Sequence, residues 1–264
     1  MRKRVPSQTE ADVMSGLPAR RALAGILALV AMAALIAPPQ EPIRLSSATP
    51  AATRRVTIGR SVDGRRIRAI RVGDAGSRRS VLVVGCIHGN ERAGRRIVRP
   101  LRNMAPPENL EIWIVWTLNP DGMSAGTRQN SRGVDLNRNF GRKWRAIGSR
   151  WSTYYSGPRK WSEPETRAAR SFVLDEKPDL TIWYHQAMAL VVKTGRHIAV
   201  KRRYARLVGL PLRRIDPLPG TAVRWQNHRF PHKPAFVVEL PGGPMTRASA
   251  RRHARAVIEV ARSR

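Results

Sequence analysis

A histidine and a glutamate stand three positions apart, directly after an apolar run, in the stretch "VLVVGCIHGNERAG". His88 and Glu91 carry an imidazole and a carboxylate, which are both zinc ligands. A local interpretation also exists, in which Asn90 is a helix N-cap and Glu91 is a first-turn acid that suits the helix dipole. Catalytic zinc needs three protein ligands and an open position for water. The pair alone therefore leaves both interpretations open.

Two later apolar runs end in residues of the same types. The run "LTIWYH" ends at His185, and "AFVVEL" carries Glu239 just before a Pro-Gly-Gly sequence. Ligands and catalytic groups of open α/β sheets collect at the carboxyl ends of the strands. A single histidine at such a position is more often structural. Three strand ends that together supply two histidines and two glutamates indicate one shared metal or acid–base site.

The elements that must position these residues alternate between strands and helices. The strands are unbroken apolar runs, which is typical of strands buried on both faces. An N-terminal hairpin is predicted from 56–58 and 67–72, with Asp63-Gly64 as its turn. A helix is predicted to start at Ser162 as N-cap, with Glu165 completing a capping box. The sequence predicts an α/β fold with a mixed, largely parallel central sheet and helices on both faces.

Charge is the outlying property of the composition. The chain has 264 residues, and 49 Lys and Arg against 18 Asp and Glu give a formal net charge of +31. Such a charge suits an anionic environment such as a wall polymer, although a merely solvated arginine-rich surface explains it equally well. No nucleic-acid-binding motif accompanies the arginines, so nucleic acid is an unlikely partner. Cys86 is the single cysteine and stands in an apolar run, which predicts a small core residue.

The N-terminal part carries a targeting pattern. Arg20-Arg21 precede the apolar run Ala22–Ala37, which is short for a membrane span and matches the core of an export signal. We predict that residues 1–37 are a signal peptide or an uncleaved membrane anchor, with an ordinary buried helix as the remaining alternative. Residues 38–53 are predicted to be a linker and 54–264 the catalytic domain. The protein is expected to be exported to the periplasm, the cell wall or the exterior, and to touch a membrane only through this segment.

Six motifs occur together in a fixed order: "HGNE", "NPDG", "TRQNSRGVDLNRNF", "YSGPRKWSEPET", "WYH" and "VVELPGG". In this order and combination they resemble the zinc carboxypeptidases of the funnelin type, in particular the bacterial branch of murein peptide amidases. The resemblance covers about Val81 to Gly243. It implies one zinc ion per chain and seven site residues. These are the zinc ligands His88, Glu91 and His185, the catalytic Glu239, Arg128 at the carbonyl oxygen, and Asn137 and Arg138 at a substrate carboxylate.

The resemblance implies hydrolysis of a peptide amide next to a free carboxylate. The expected bond is the γ-D-glutamyl–diaminopimelate amide of murein peptides. One alternative is the trimming of ordinary protein or peptide C-termini, and another is an inactive basic protein that binds a wall polymer. The sequence departs from the digestive enzymes of the family, which carry a cleft tyrosine between the last zinc histidine and the catalytic glutamate.

Two sets of neighbouring residues complete the expected site. Between His185 and Glu239 the only tyrosine in this sequence is Tyr204, which lies inside a helical pattern. The cleft is therefore expected to be lined instead by Trp225, Gln226 or His228. A second set of polar residues is expected to shape loops or support the ligands from behind. These residues are Asp135, Asn119 and Asp121.

Overall fold

The protein is described as a computed structural model that covers residues 53–216 and 218–263. The predicted export or anchor segment, 1–37, and all but the last residue of the predicted linker, 38–53, lie outside the described residues. Within the described part, no helix has the length and apolar character that crossing a membrane requires.

A seven-stranded sheet forms the centre of the domain. Its strand order is β1-β2-β4-β3-β5-β6, and β7 also pairs with β5. The pairs β1–β2 and β2–β4 are antiparallel, whereas β3–β4, β3–β5, β5–β6 and β5–β7 are parallel. The predicted mixed, largely parallel sheet is confirmed. The strands are β1 Thr53–Arg60, β2 Arg66–Val72, β3 Arg79–Val84, β4 Leu110–Val115, β5 Leu180–Val192, β6 Leu212–Arg213 and β7 Ala235–Pro241.

Helices cover both faces of this sheet. One face packs against α1, α4 and α6, and the other packs against α3 and α5, so that each face has its own hydrophobic core. A short helix, α2, follows β4. The bounds are α1 Gly94–Asn103, α2 Pro120–Ala125, α3 Pro164–Glu176, α4 Ile198–Val208, α5 Ala222–Arg229 and α6 Arg247–Arg262.

The residues of β3 explain why the parallel strands read as unbroken apolar runs. Val81 and Val83 lie in the core beneath α1, α4 and α6, whereas Leu82 and Val84 lie in the core beneath α3 and α5. Successive side chains of a strand point to opposite faces. Because both faces are covered by helices, every position is apolar and no alternation remains.

The turn of the β1–β2 hairpin is fastened to α2 by one carboxylate. Asp121 accepts a hydrogen bond from Ser61 Oγ at 2.7 Å and from the backbone N–H of Asp63 at 3.0 Å. Arg65 donates to the same carboxylate at 2.7 Å. The predicted loop-shaping role of Asp121 therefore agrees with its contacts in the structure.

The predicted start of α3 is wrong by one residue. The N-cap is Glu163, not Ser162, and Ser162 Oγ donates instead to the Glu163 carboxylate at 2.7 Å. Glu165 does not close a capping box, since its carboxylate accepts from the backbone N–H of Val62 and the side chain of Asn130. Tertiary partners have replaced the local partners that the motif predicts.

Candidate metal-dependent active site

The parallel strands β3, β5 and β7 bring the predicted site residues to one end of the sheet. His88 and Glu91 lie in the turn after β3, ahead of α1. His185 lies within β5 rather than at its end, because this strand continues to Val192. Glu239 of β7 stands directly opposite His185 in the parallel pair.

Three of these side chains converge on one point. His88 Nδ1 lies 2.8 Å from Glu91 Oε1, His185 Nδ1 lies 3.0 Å from Glu91 Oε2, and the two Nδ1 atoms are 3.2 Å apart. All three residues are buried, and their ligand atoms lie within 4.8 Å of one another. Two imidazole nitrogens and one carboxylate are a donor set that zinc takes. The three residues therefore fit the metal that the motifs imply.

Asp135 supports this cluster from behind. Its Oδ1 lies 3.0 Å from His88 Nε2. An ionised carboxylate only accepts, so Nε2 carries the proton and Nδ1 keeps its lone pair for a metal. Burial alone would raise the pKa of Asp135, but His88 and Arg128 outweigh it and hold that pKa far below its usual range. The predicted supporting role of Asp135 agrees with this geometry.

Glu91 is ionised for a similar reason. Its burial acts to raise the pKa, but the neighbouring His88 and His185 side chains outweigh burial and lower it well below the ordinary carboxyl range. Its Oε1 also accepts a hydrogen bond from Arg128 at 2.7 Å.

Arg128 lies on the wall of the cleft with its guanidinium held in place. Two of its nitrogens donate to Asp135 Oδ2 at 3.1 and 3.0 Å, and its Nε also donates to the carbonyl oxygen of Thr153 at 3.2 Å. Its side chain is 21% exposed. A fixed cation beside the metal ligands suits the stabilisation of negative charge on a carbonyl oxygen.

Arg138 is a buried cation beside the cleft. Only 4% of its surface is exposed, and its Nη1 donates to the backbone oxygen of Asn137 at 2.7 Å. Its buried Nε has no hydrogen-bond partner, and within the described residues no carboxylate forms an ion pair with it. Burial lowers its pKa, and Asp135 only partly offsets this effect. Such a guanidinium is suited to pair with an anionic group of a bound ligand.

Unlike Arg138, Asn137 has both polar atoms of its side chain in contact with other residues of the protein. Its Nδ2 lies 3.4 Å from His185 Nε2, and its Oδ1 accepts from the backbone N–H of Ala222 at 2.9 Å. Asn137 lines the cleft, but its present contacts brace a candidate metal ligand against the start of α5.

Glu239 completes the set of predicted residues. Its Oε2 is buried and has no hydrogen-bond partner in the part of the chain that the structure describes, and burial raises its pKa. A carboxylate with a raised pKa is a better proton acceptor near neutral pH.

Comparison with known proteins assigns the chain to a family. A family model described as zinc carboxypeptidase matches residues 43–206, more than half of the chain. The chain belongs to the zinc carboxypeptidase family. Of the seven site residues that the resemblance implies, all except Glu239 fall inside the matched range. Membership makes the protein a hydrolase of this family and implies zinc as its metal.

Individual relatives of this chain are murein peptide amidases. The murein peptide amidase A of Vibrio campbellii is 29% identical over 175 residues, which cover 61% of this chain and 68% of the relative. The Escherichia coli K12 protein of the same name is 30% identical over 149 residues, or 52% of this chain. The chain spans 61% of that relative's length. The crystal structure of the murein-tripeptide amidase from Escherichia coli O157 has the same fold, with a TM-score of 0.64, 24% identity, and coverage of 82% of this chain and 94% of that one.

The cleft contains a tyrosine that the sequence motifs did not indicate. Tyr154 is 47% exposed, and its ring lies 4.8 Å from the guanidinium carbon of Arg138 and 6.0 Å from that of Arg128. It belongs to the long loop before α3. The "YSGP" motif marks the neighbouring residues, but no local pattern points Tyr154 toward the cleft.

The expectation that Trp225, Gln226 or His228 lines the cleft is wrong. Trp225 and Gln226 are buried, and the Gln226 amide bonds Trp183 and Thr181 under the sheet. The cleft, of about 840 Å³, is lined on that side by other residues of α5 and its approach, namely Thr221, Val223, Arg224 and Asn227. Tyr204 is buried in α4 and bonded to Tyr184, as its helical pattern indicates.

Cys86 and Asn119 have no direct part in the cluster. Cys86 is fully buried, which confirms a core residue, and this burial raises the pKa of its thiol to about 11, which disfavours a nucleophile. Asn119 caps α2 by accepting from the backbone N–H of Gly122 and donates to the carbonyl oxygen of Arg128. Asn119 therefore shapes the loop that presents Arg128.

Proposed function

We propose that this hydrolase cleaves a peptide amide next to a free carboxylate, and that its substrate is the γ-D-glutamyl–diaminopimelate bond of murein peptides. The observation that carries the first part is Arg138, a buried guanidinium with an unpartnered Nε on the wall of the cleft. The Arg138 guanidinium presents a planar set of N–H donors in a partly desolvated environment, which suits the binding of a carboxylate.

The roles of the residues follow from their positions. His88, Glu91 and His185 would hold zinc, which when bound supplies Lewis-acid polarisation of the scissile carbonyl and lowers the pKa of a water molecule. Glu239 takes the proton of the attacking water and delivers it to the leaving amine. Arg128 donates to the oxygen on which negative charge develops.

The charge of the cleft supports a leaving residue with more than one charged group. Besides Arg128 and Arg138, the cleft is lined by Lys193, Arg214 and Arg224, and Asp216 lies among them. Diaminopimelate at the end of a tripeptide stem carries two carboxylates and a free amine. The relatives whose names specify murein peptide amidases support the same substrate class.

Two alternatives remain to be compared with this proposal. Trimming of ordinary C-termini would use the same Arg138 and the same ligands, and only the leaving residue would differ. An inactive binding protein is disfavoured, since the candidate ligands, Arg128 and Glu239 line one cleft.

The deciding experiment offers the zinc-loaded protein two substrates side by side. One is a purified muropeptide tripeptide, and the other is an α-linked peptide of similar length with an apolar C-terminal residue. Mass spectrometry should show loss of diaminopimelate from the first and little change in the second. Glu239→Gln is the control for contaminating activity. Removal of the ordinary C-terminal residue with the tripeptide left intact would reject the murein proposal and keep the carboxypeptidase.

We also propose that the protein acts outside the cytoplasm. The support is the sequence of Ala22–Ala37 alone, which has the pattern of an export signal or anchor. A reporter fused after residue 264 should be exported, and a fusion wholly retained in the cytoplasm would refute this.

A further inference from the structure

The helices on the two faces of the sheet carry very different charge. On one face, α1 and α4 have four Lys or Arg residues each and α6 has five, against a single acid, Glu259. On the other face, α3 and α5 together have four arginines and three acids. A general preference for arginine would affect all the helices equally. The excess is therefore a property of the helices on one face.

Most of these charges point into solvent. Arg203 and Arg262 share Glu259, at 3.5 and 3.9 Å, and both pairs are largely exposed and hence weak. Ten arginines of the three helices are exposed, and we call them the basic helical layer. They are Arg96, Arg99, Arg102, Arg202, Arg206, Arg247, Arg251, Arg252, Arg255 and Arg262.

The basic helical layer is separate from the cleft. None of its ten arginines lines the cavity that holds the candidate metal ligands. The layer can therefore be occupied while a peptide is bound, and an inference about it does not depend on the proposed reaction.

The chemistry of this layer limits its partner. Single-stranded nucleic acids are held partly by stacking of bases on aromatic side chains, and interfacial helices bury apolar side chains in the lipid boundary. On α1, α4 and α6 the only exposed large apolar side chain is Leu207, at 39%. The exposed aromatic residues Trp151 and Tyr154 lie elsewhere, in the loop before α3. What the layer offers is a set of guanidinium groups, which match phosphate oxygens.

We propose that the basic helical layer binds a flexible polyanion that carries a phosphate in each repeat, such as a phosphate-bearing wall polymer. Binding of this kind releases counterions, so the affinity falls linearly in a plot of log K against log salt, with a slope of about 0.7 to 0.9 for each phosphate contacted. The layer thereby holds the enzyme on an anionic matrix while its cleft stays open.

The test uses the full chain and long-chain inorganic polyphosphate as the probe, with binding measured by calorimetry over a range of salt concentrations. The layer variant is Arg251→Glu/Arg255→Glu on α6. The matched control is Arg170→Glu/Arg229→Glu on α3 and α5, which has the same net charge but changes exposed arginines on the other face. Circular dichroism and zinc content establish that both variants are folded.

We expect the layer variant to bind at least about tenfold more weakly near 0.1 M salt, with a salt slope reduced by about two contacts. The control should stay within about threefold of the parent, because charges on the far face are largely screened at this ionic strength. Equal weakening of both variants would show that only net charge matters. An unchanged layer variant would place the binding elsewhere, and either result overturns the proposal.

Two further probes separate the rival partners. Single-stranded DNA of equal charge should bind no more tightly than polyphosphate, since the layer has no surface for bases. Binding to anionic phosphatidylglycerol vesicles is compared with binding to neutral phosphatidylcholine vesicles, because the neutral vesicles measure any binding through Ala22–Ala37. Much tighter binding of DNA than of polyphosphate would reject the phosphate polymer as the partner. The same conclusion would follow if polyphosphate did not bind and the parent bound anionic vesicles that the layer variant no longer bound.

Discussion

His185 of β5 lies directly opposite Glu239 of β7 in a parallel strand pair. Residues that face each other across neighbouring strands point to the same side of the sheet. A candidate metal ligand and the candidate base are therefore placed together by backbone register. A shift of this register by one residue would turn Glu239 into the core and away from the metal site.

The first prediction concerns the metal. His88→Ala should abolish zinc binding and activity, because Glu91 and His185 alone are too few protein ligands to hold zinc. Metal content is measured by atomic emission after dialysis, with the exposed His228→Ala as control. Stoichiometric zinc in the His88→Ala/His185→Ala double variant would show that the metal lies elsewhere.

The second prediction concerns the base. Glu239→Gln keeps the shape of the side chain and removes the proton acceptor. Zinc should remain bound while kcat falls at least about a hundredfold, the usual scale for a general base. Steady-state kinetics and metal analysis on one preparation separate the two effects. Near-normal turnover would mean that another group accepts the proton.

The third prediction concerns Asp135. Asp135→Asn retains an oxygen that can accept from His88 Nε2 but removes the charge that fixes the tautomer. Zinc affinity should fall about 10- to 100-fold, the usual effect of changing such a partner. Competition with a chelator measures it. Asp121→Asn is a control of the same chemistry away from the metal ligands, and an equal loss of affinity there would indicate general destabilisation.

The fourth prediction concerns Arg138. Arg138→Ala should cost about 2–5 kcal/mol of transition-state stabilisation, as expected when one partner of a desolvated charge pair is removed. The parent enzyme should lose a similar amount on a substrate whose terminal carboxylate is replaced by an amide. In Arg138→Ala the acid and the amide should be cleaved at nearly equal kcat/KM. A preference for the acid that survives in the variant would assign the carboxylate to another cation.

The fifth prediction concerns stability against pH. His253 of α6 is buried with its Nδ1 2.8 Å from the Tyr204 hydroxyl, and burial lowers its pKa to about 4. The unfolded histidine titrates near 6.5. Between these values the unfolded state binds more protons, so the free energy of unfolding contributed by His253 is fully present above about pH 6.5. It is lost as the pH falls toward 4, by up to about 1.4 kcal/mol per pH unit.

Urea unfolding at pH 7.5, 6 and 5 measures this dependence. His253→Gln can still accept from Tyr204 and should remove this part of the slope, whereas His228→Gln on the surface should leave it unchanged. An identical slope in the parent and in His253→Gln would assign the acid sensitivity to other groups.

The sheet and most of the site residues could be predicted from the sequence because both leave a mark on the same apolar runs. Strands buried on both faces must be apolar throughout, so a polar residue at the end of such a run stands out. His88, Glu91 and Glu239 are examples. His185 was found in the same way, although β5 does not end there but continues to Val192.

Other features depend on contacts between distant residues and leave no local pattern. Helix α5 was not predicted, since it is held by tertiary bonds from Asn137 to Ala222 and from Trp183 to Gln226. Tyr154 reaches the cleft because its neighbour Thr153 accepts from Arg128 through its backbone oxygen. No periodicity or spacing in the loop encodes that placement.

The fastening of the hairpin turn by Asp121 has a practical consequence for protein engineering. Asp63-Gly64 has the composition of a loop tip that would accept a tag or an insertion. However, the backbone N–H groups of Val62 and Asp63 are bonded to the carboxylates of Glu165 and Asp121. An insertion there would detach β1 and β2 from α2 and α3. The turn before β3 is the better place for a label, because there the backbone N–H and the hydroxyl of Ser77 bond Asp74 of the same turn rather than another element.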